Sequence, residues 1–176
     1  LFLKSALDAK QIEGLFVTSE SLFRSMQPHV EWWPNAVLAK PFQISKNPKE
    51  ENTVGLLMTY SPRKNIATNL FAARLMGAKV FCNDNIPLVF KQLCNQFSIN
   101  VSYSNRLSDE LYYKLLSSLC LNMQVTLSES LNYGIVDSLL SGTPVLIGPN
   151  TPLANLCKSY DQLCLVNSVD NPIEVA

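Results

Sequence analysis

From Val54 to the end of the chain, short apolar runs alternate with stretches whose apolar residues recur every three to four positions. These are the two periods of buried strands and amphipathic helices. The pattern predicts strands at Val54 to Met58, Lys79 to Cys82, Ile99 to Ser102, Asn122 to Leu127, Pro144 to Ile147 and Cys164 to Val166. It predicts helices from Asn65 to Met76, Pro87 to about Phe97, Ser108 to Leu119, and Tyr133 or Gly134 through Leu140, with shorter ones at Pro152 to Lys158 and from Pro172. Ser108 is a natural N-cap with Asp109 and Glu110 in the turn that follows, and Gly77 and Gly142 stand where helices usually end. Such alternation over short connections predicts an α/β fold, a doubly wound parallel, Rossmann-like sheet with right-handed crossovers.

The upstream part is less regular. A strand is predicted at Leu15 to Thr18, a helix opening at Ser19 or Glu20, and an extended piece from Val30 to Val37 in which Trp32-Trp33 precede Pro34-Asn35. Pro34 enforces extended backbone before it, and Asn35 suits a turn. Lys40 to Asn52, with its prolines, charges and lack of period, reads as a surface linker.

Composition narrows the possibilities. A chain of 176 residues makes one domain with part of a second. Its 14 basic and 14 acidic residues cancel, so no whole-chain field favours nucleic acid or an anionic membrane. No apolar run is long enough to cross a bilayer. The chain opens on Leu1 rather than Met, so it reads as an excised piece. Cys82, Cys94, Cys120, Cys157 and Cys164 include no C-x-x-C pair, which fits free thiols in a reducing, cytoplasmic setting and predicts no metal site. Asn100-Val101-Ser102 has the form of a glycosylation acceptor but falls in a predicted strand. The one histidine, His29, lies in the upstream segment and reads as structural, so Ser-His-Asp and Cys-His mechanisms lack support.

Chemistry concentrates in Val125 to Gly148, which reads as strand, polar elbow, helix, Gly-Thr-Pro turn and strand. Ligands of open α/β sheets gather outside the carboxyl ends of the strands. The elbow is such a place. Glu129 precedes the predicted helix and Asp137 lies one turn inside it. The first N–H groups of that helix point back at the elbow and favour an anion, most naturally a phosphate. Two acids beside a phosphate can accept hydrogen bonds from hydroxyls, which outlines a nucleotide-sugar site.

The segment Glu129-Ser-Leu-Asn-Tyr-Gly-Ile-Val-Asp137-Ser, followed by Gly142-Thr-Pro-Val145, resembles the E-x7-E signature of retaining glycosyltransferases of the GT-B architecture. The resemblance implies the C-terminal, donor-binding half of such an enzyme. In that family the first acid, here Glu129, contacts the donor hexose, and the second, here Asp137, holds the ribose hydroxyls. The amides between them, from Ser130 through Asn132, Tyr133, Gly134 and Ile135, hold the pyrophosphate. Lys64 matches the lysine that follows the first strand of this half, in the stretch Met58 to Asn65, and can neutralise pyrophosphate charge and steady the leaving nucleotide. The family arginine of that stretch is Thr59 here, with Arg63 placed to substitute. Tyr103 to Arg106 corresponds to the loop along the nucleobase, and Pro34-Asn35-Ala36-Val37 to the handover between halves. Other departures are Asp137 for Glu, Ser130 and Asn132 for glycines, and Thr151-Pro152 where many relatives have Gly-Gly. Asn132 is a tolerable substitute because asparagine visits the left-handed region.

The resemblance thus divides the chain into the end of an N-terminal half (1–40), a linker (41–52) and a nucleotide-sugar-binding domain (53–176) truncated at its C-terminus. It implies transfer of a sugar from a nucleotide sugar, with retention, to a glycan, lipid or protein acceptor, needing no cofactor and no metal. The catalytic residues are expected to be Glu129 and Lys64. The partner is the missing N-terminal half, with no nucleic acid, and parts outside this chain could bring it to a membrane periphery. The rival is a degenerate nucleotide- or sugar-binding module of the same fold, to which the departures point. A dinucleotide enzyme is disfavoured, since no G-x-G-x-x-G follows any predicted strand.

Overall fold

The structure is a computed structural model. It describes residues 48–176 apart from 84–85, 105–106, 130–131 and 160, and upstream of these only residues 16–17, 24 and 31–32. The chain divides into two compact units, Leu1–Lys40 and Pro41–Ala176. In the first, β1 (Phe16–Val17) pairs in parallel with β2 (Glu31–Trp32), and Arg24 between them is helical. The predicted start at Ser19 or Glu20, His29, the Pro34 to Val37 segment and most of the predicted linker lie outside the described residues.

The second unit is built on one six-stranded sheet of order β5-β4-β3-β6-β7-β8, all neighbours parallel. Its strands are β3 (Thr53–Leu56), β4 (Lys79–Asn83), β5 (Val101–Ser104), β6 (Leu121–Gln124), β7 (Val145–Ile147) and β8 (Leu163–Leu165). Between them run α1 (Ile66–Leu75), α2 (Leu88–Gln96), α3 (Asp109–Ser118) and α4 (Tyr133–Leu140), then a 3-10 helix Pro152–Ser159, with α5 (Pro172–Val175) last. This is the predicted doubly wound α/β, Rossmann-like sheet.

Alternation along the strands divides the core between two faces. Val54 and Leu56 of β3, Val80 and Cys82 of β4, and Met123 of β6 join Ile66, Leu70 and Ala73 of α1, Cys94 of α2 and Val175 of α5 in one large apolar cluster. The opposite face carries two smaller clusters. One gathers Leu57 with Tyr113, Leu116 and Leu119, and the other gathers Ile135 with Val145, Ile147 and Leu163.

Three of the helices, α1, α2 and α4, end by one device. After α1, Gly77 has φ +65° and the Ala78 amide donates to Ala73 O; after α4, Gly142 has φ +70° and Thr143 N donates to Ser138 O. These are Schellman closures. Helix α2 ends the same way without glycine: Ser98 has φ +52° and Ile99 N donates to Cys94 O. That moves β5 two residues beyond the predicted Ile99 to Ser102, because Ile99 closes the helix. Strand β6 also stops early, at Gln124 rather than Leu127, because the Leu127 amide donates to Arg63 O at 2.8 Å instead of extending the sheet.

Candidate functional site

The sheet order reverses between β3 and β6, so the loops leaving their carboxyl ends meet at the topological switch point, where open α/β sheets bind ligands. From β3 the chain enters a 3-10 turn, Pro62–Lys64, which starts at Ser61 and ends on Asn65 in the left-handed region at φ +53°. That bend begins α1 at Ile66, one residue later than predicted. From β6 the chain passes through Val125 and Thr126 into the elbow. Two loops are sewn to it: Leu127 N donates to Arg63 O, and Glu129 N donates to Asn150 O at 3.2 Å, while Asn150 Nδ2 donates to Leu127 O at 2.9 Å.

Within this frame the Lys64 ammonium donates to Glu129 Oε2, and Arg63 Nη1 donates to Glu129 Oε1 and to Ser128 O. The side chains of Glu129 and Lys64 are 3% and 8% exposed, and that of Arg63 is 49% exposed. Burial pushes the Glu129 carboxyl up, but the hydrogen bonds from Lys64 and Arg63, and their charge, outweigh it and hold the group below its ordinary value. Glu129 is therefore a carboxylate at neutral pH, gripped by two cations. The structure thus brings together Glu129, Lys64 and Arg63, three of the residues singled out from sequence.

The other predicted residues sit differently. Asn132 is the N-cap of α4 with extended backbone (φ −96°, ψ 102°), not a glycine-like left-handed residue. Its side chain accepts from Gly134 N at 3.0 Å, and its carbonyl accepts from Ile135 N at 3.0 Å. Two amides expected to hold phosphate are thus satisfied by the cap itself. Tyr133 is half exposed and Ile135 fully buried. Asp137 Oδ1 accepts from the Tyr113 hydroxyl of α3 at 2.6 Å. Ser130 lies outside the described residues. Tyr103 belongs to β5, beyond β4 from β3; the Lys91 ammonium lies 4.9 Å from its ring centre. It lines a groove of about 520 Å³ with Phe81, Leu107, Leu111 and Leu115, and none of Glu129, Lys64 and Arg63 borders that groove.

Sequence reasoning missed a polar chain beneath the elbow. Asn132 Nδ2 donates to Gln124 Oε1 at 2.8 Å, Gln124 Nε2 to Asn122 Oδ1 at 3.3 Å, and Asn122 Nδ2 to Ser138 Oγ at 2.6 Å. All four residues are buried. The signal was present: Asn122, Gln124 and Thr126 alternate with Met123 and Val125, a period-two polar stripe on one face of β6. Among the described residues there is no group of three or more His, Cys, Asp or Glu suited to a metal ion, and no helix is long and apolar enough to cross a membrane.

Solved structures share this architecture. HepE of Anabaena, crystallised with UDP and glucose, superposes with a TM-score of 0.72 over 99% of this chain and 55% of its own, at 14% identity. It is a fold found in glycosyltransferases. WaaG, a glycosyltransferase involved in lipopolysaccharide biosynthesis, matches with a TM-score of 0.68 over 92% of this chain and 52% of its own, at 16% identity. TarM of S. aureus, crystallised with fondaparinux, α-GlcNAc-glycerol and UDP, matches at 0.69 over 96% of this chain and 38% of its own, at 14% identity. This chain thus spans about half or less of the length of these three proteins. No protein-family model and no curated protein sequence matches it.

Proposed function

We propose that the chain is the donor-binding part of a glycosyltransferase, which transfers a sugar from a nucleotide sugar to a glycan, lipid or protein acceptor with retention of configuration. One observation carries the reading: Glu129, Lys64 and Arg63 converge from two loops at the switch point of the sheet. A diphosphate entering there competes with the Glu129 carboxylate for the same cations. Once Lys64 and Arg63 turn to phosphate oxygens, the carboxylate is released to accept hydrogen bonds from hexose hydroxyls.

The chemistry follows from that exchange. As the bond between the anomeric carbon and the diphosphate breaks, negative charge collects on the leaving oxygens and Lys64 stabilises it. Positive charge grows on the sugar, and Glu129 orients the ring that carries it. Attack by the acceptor on the face the diphosphate leaves gives retention. Asp137, which already accepts from Tyr113, is the acid placed to meet the ribose. Cationic side chains do the work of a metal in this scheme, so no cofactor is invoked. The acceptor is held by an N-terminal half beyond this chain, and the setting is the cytoplasm or the membrane surface facing it. The UDP in the HepE and TarM structures supports a nucleotide ligand for the shared fold.

A second reading, a degenerate binding module, draws on the capped amides of Gly134 and Ile135 and on Thr59 in place of an arginine. Titration of the full-length protein with UDP, GDP and ADP, then with UDP-glucose, GDP-mannose and ADP-glucose, separates the two. Glycosyl transfer measured alongside completes the test. For a transferase, Lys64→Ala weakens the preferred nucleotide roughly 10- to 100-fold, the worth of a charged hydrogen bond, and Glu129→Ala abolishes transfer. Binding without transfer favours the module, and transfer that survives Glu129→Ala removes these residues from the mechanism.

A further inference from the structure

Among the described residues, three buried side-chain atoms have no hydrogen-bond partner: Ser61 Oγ, Asn69 Oδ1 and Thr151 Oγ1. Buried polar groups are nearly always paired, so each orphan calls for a reason. Asn69 has a structural one, because its amide nitrogen already donates to Asn65 O and Val125 O and ties α1 to the strand end. The two hydroxyls have none. Ser61 opens the turn that carries Arg63 and Lys64, its carbonyl accepts from Lys64 N, and its hydroxyl caps nothing. Thr151, 6% exposed, directly follows Asn150, whose carbonyl accepts from Glu129 N. Each orphan hydroxyl is therefore at most one residue from a backbone hydrogen bond to Lys64 or Glu129.

We propose that Ser61 and Thr151 are donor-contacting residues, with the Ser61 hydroxyl donating to the diphosphate and the Thr151 hydroxyl exchanging a hydrogen bond with the donated sugar. The inference rests on the proposed donor site and adds two residues to it. The assignment follows from the neighbours of each group. Ser61 sits on the turn of the two cations that attract phosphate. Thr151 sits on the loop bound to Glu129, the acid on the sugar side. A hydroxyl can both donate and accept, so it suits either partner, and each orphan finds its missing bond only when the ligand is present.

The test uses the full-length protein, with Ser61→Ala, Thr151→Val and Lys64→Ala titrated with UDP, GDP and ADP and with UDP-glucose, GDP-mannose and ADP-glucose, and melting followed in parallel. Ser61→Ala weakens the preferred diphosphate and its sugar conjugate alike, roughly 3- to 10-fold, the range of a single hydrogen bond. Thr151→Val weakens only the sugar conjugate, by a similar factor. Neither lowers the melting temperature, because each removes a buried group that was unpaired. Wild-type affinity in both hydroxyl variants, with Lys64→Ala impaired, overturns the inference and leaves the donor site standing. Failure of the wild type to bind any of the six compounds overturns the donor site and this inference with it.

Discussion

The two faces of the sheet are built on different principles. The face under α1, α2 and α5 is one continuous apolar cluster, in which Leu70, Val80 and Met123 are fully buried. The face under α3 and α4 is split into two small clusters, and between them the hydrogen-bonded chain from Asn132 through Gln124 and Asn122 to Ser138 crosses β6. Apolar packing is non-directional and tolerates small shifts, whereas a buried hydrogen-bond chain fixes positions because an unmade bond there is costly. The apolar face gathers the larger continuous cluster. The polar face sets where α4 begins, and hence where the elbow and Glu129 lie.

The largest expected effect tests the first half of that contrast. Leu70→Ala empties part of the apolar cluster and lowers stability by about 2–5 kcal/mol, read by urea or guanidinium denaturation. Leu116→Ala, in a smaller cluster, sets the comparison. An equal loss at both positions removes the energetic asymmetry between the faces.

A sharper cut uses neighbours on opposite faces of β6. Met123→Leu keeps core volume and costs less than about 1.5 kcal/mol. Gln124→Leu has a similar shape but leaves the Asn132 amide buried without its acceptor, at a cost of about 1–3 kcal/mol. It also loosens the cap of α4, so nucleotide affinity falls with stability. If Gln124→Leu destabilises the protein while affinity holds, the polar chain supports the fold and not the site.

Much of this architecture could be read in the chain because it rests on local signals. Helix α3 begins where Ser108 caps it, its Oγ accepting from Leu111 N, and α1 and α4 end at glycines. Where the signal was not local, the reading slipped. Ser98 takes a left-handed conformation that glycine usually supplies, so the closure of the helix through Ile99 N had no glycine to announce it and β5 was displaced. Leu127 looked like strand because it is apolar, yet its amide is claimed by Arg63 O from a distant loop. Spacing singled out Glu129 with Asp137, and the family resemblance singled out Lys64, but the closing of Lys64 on Glu129 depends on the order of strands and was not legible in the sequence. The role of Asn132 as a cap, and of Tyr113 as the partner of Asp137, required the third dimension.

The next effect appears only in acid and belongs to the polar face. Glu129 has its carboxyl held below the ordinary value, so its pairing stabilises the fold above the unfolded-state value and is lost as pH falls through the folded one. Wild-type stability should therefore fall from about pH 4.5 downward, and Glu129→Gln should flatten that limb. On the apolar face the Cys82 thiol is pushed up to about 12, chiefly by burial, and contributes nothing in this range. An acid limb unchanged by Glu129→Gln would assign the proton uptake to other carboxylates.

The smallest effect concerns Tyr113, where the two halves of the polar face touch. Its hydroxyl joins α3 to Asp137 of α4 at 2.6 Å, and Tyr113→Phe removes that bond for about 1 kcal/mol. The pH dependence identifies the source of the loss. Burial, the hydrogen bond to Asp137 and the charge of that carboxylate all raise the phenol above its ordinary value. The stabilisation is then complete below the unfolded-state value near 10 and disappears as pH rises towards the folded one. Wild type and Tyr113→Phe should accordingly differ by a constant amount through neutral pH and converge in strong alkali. A difference that persists in alkali would make the tyrosine a packing residue. If Asp137 also holds ribose, freeing its oxygen in Tyr113→Phe changes the preference between ribose and 2′-deoxyribose nucleotides, which a purely structural link between α3 and α4 would leave untouched.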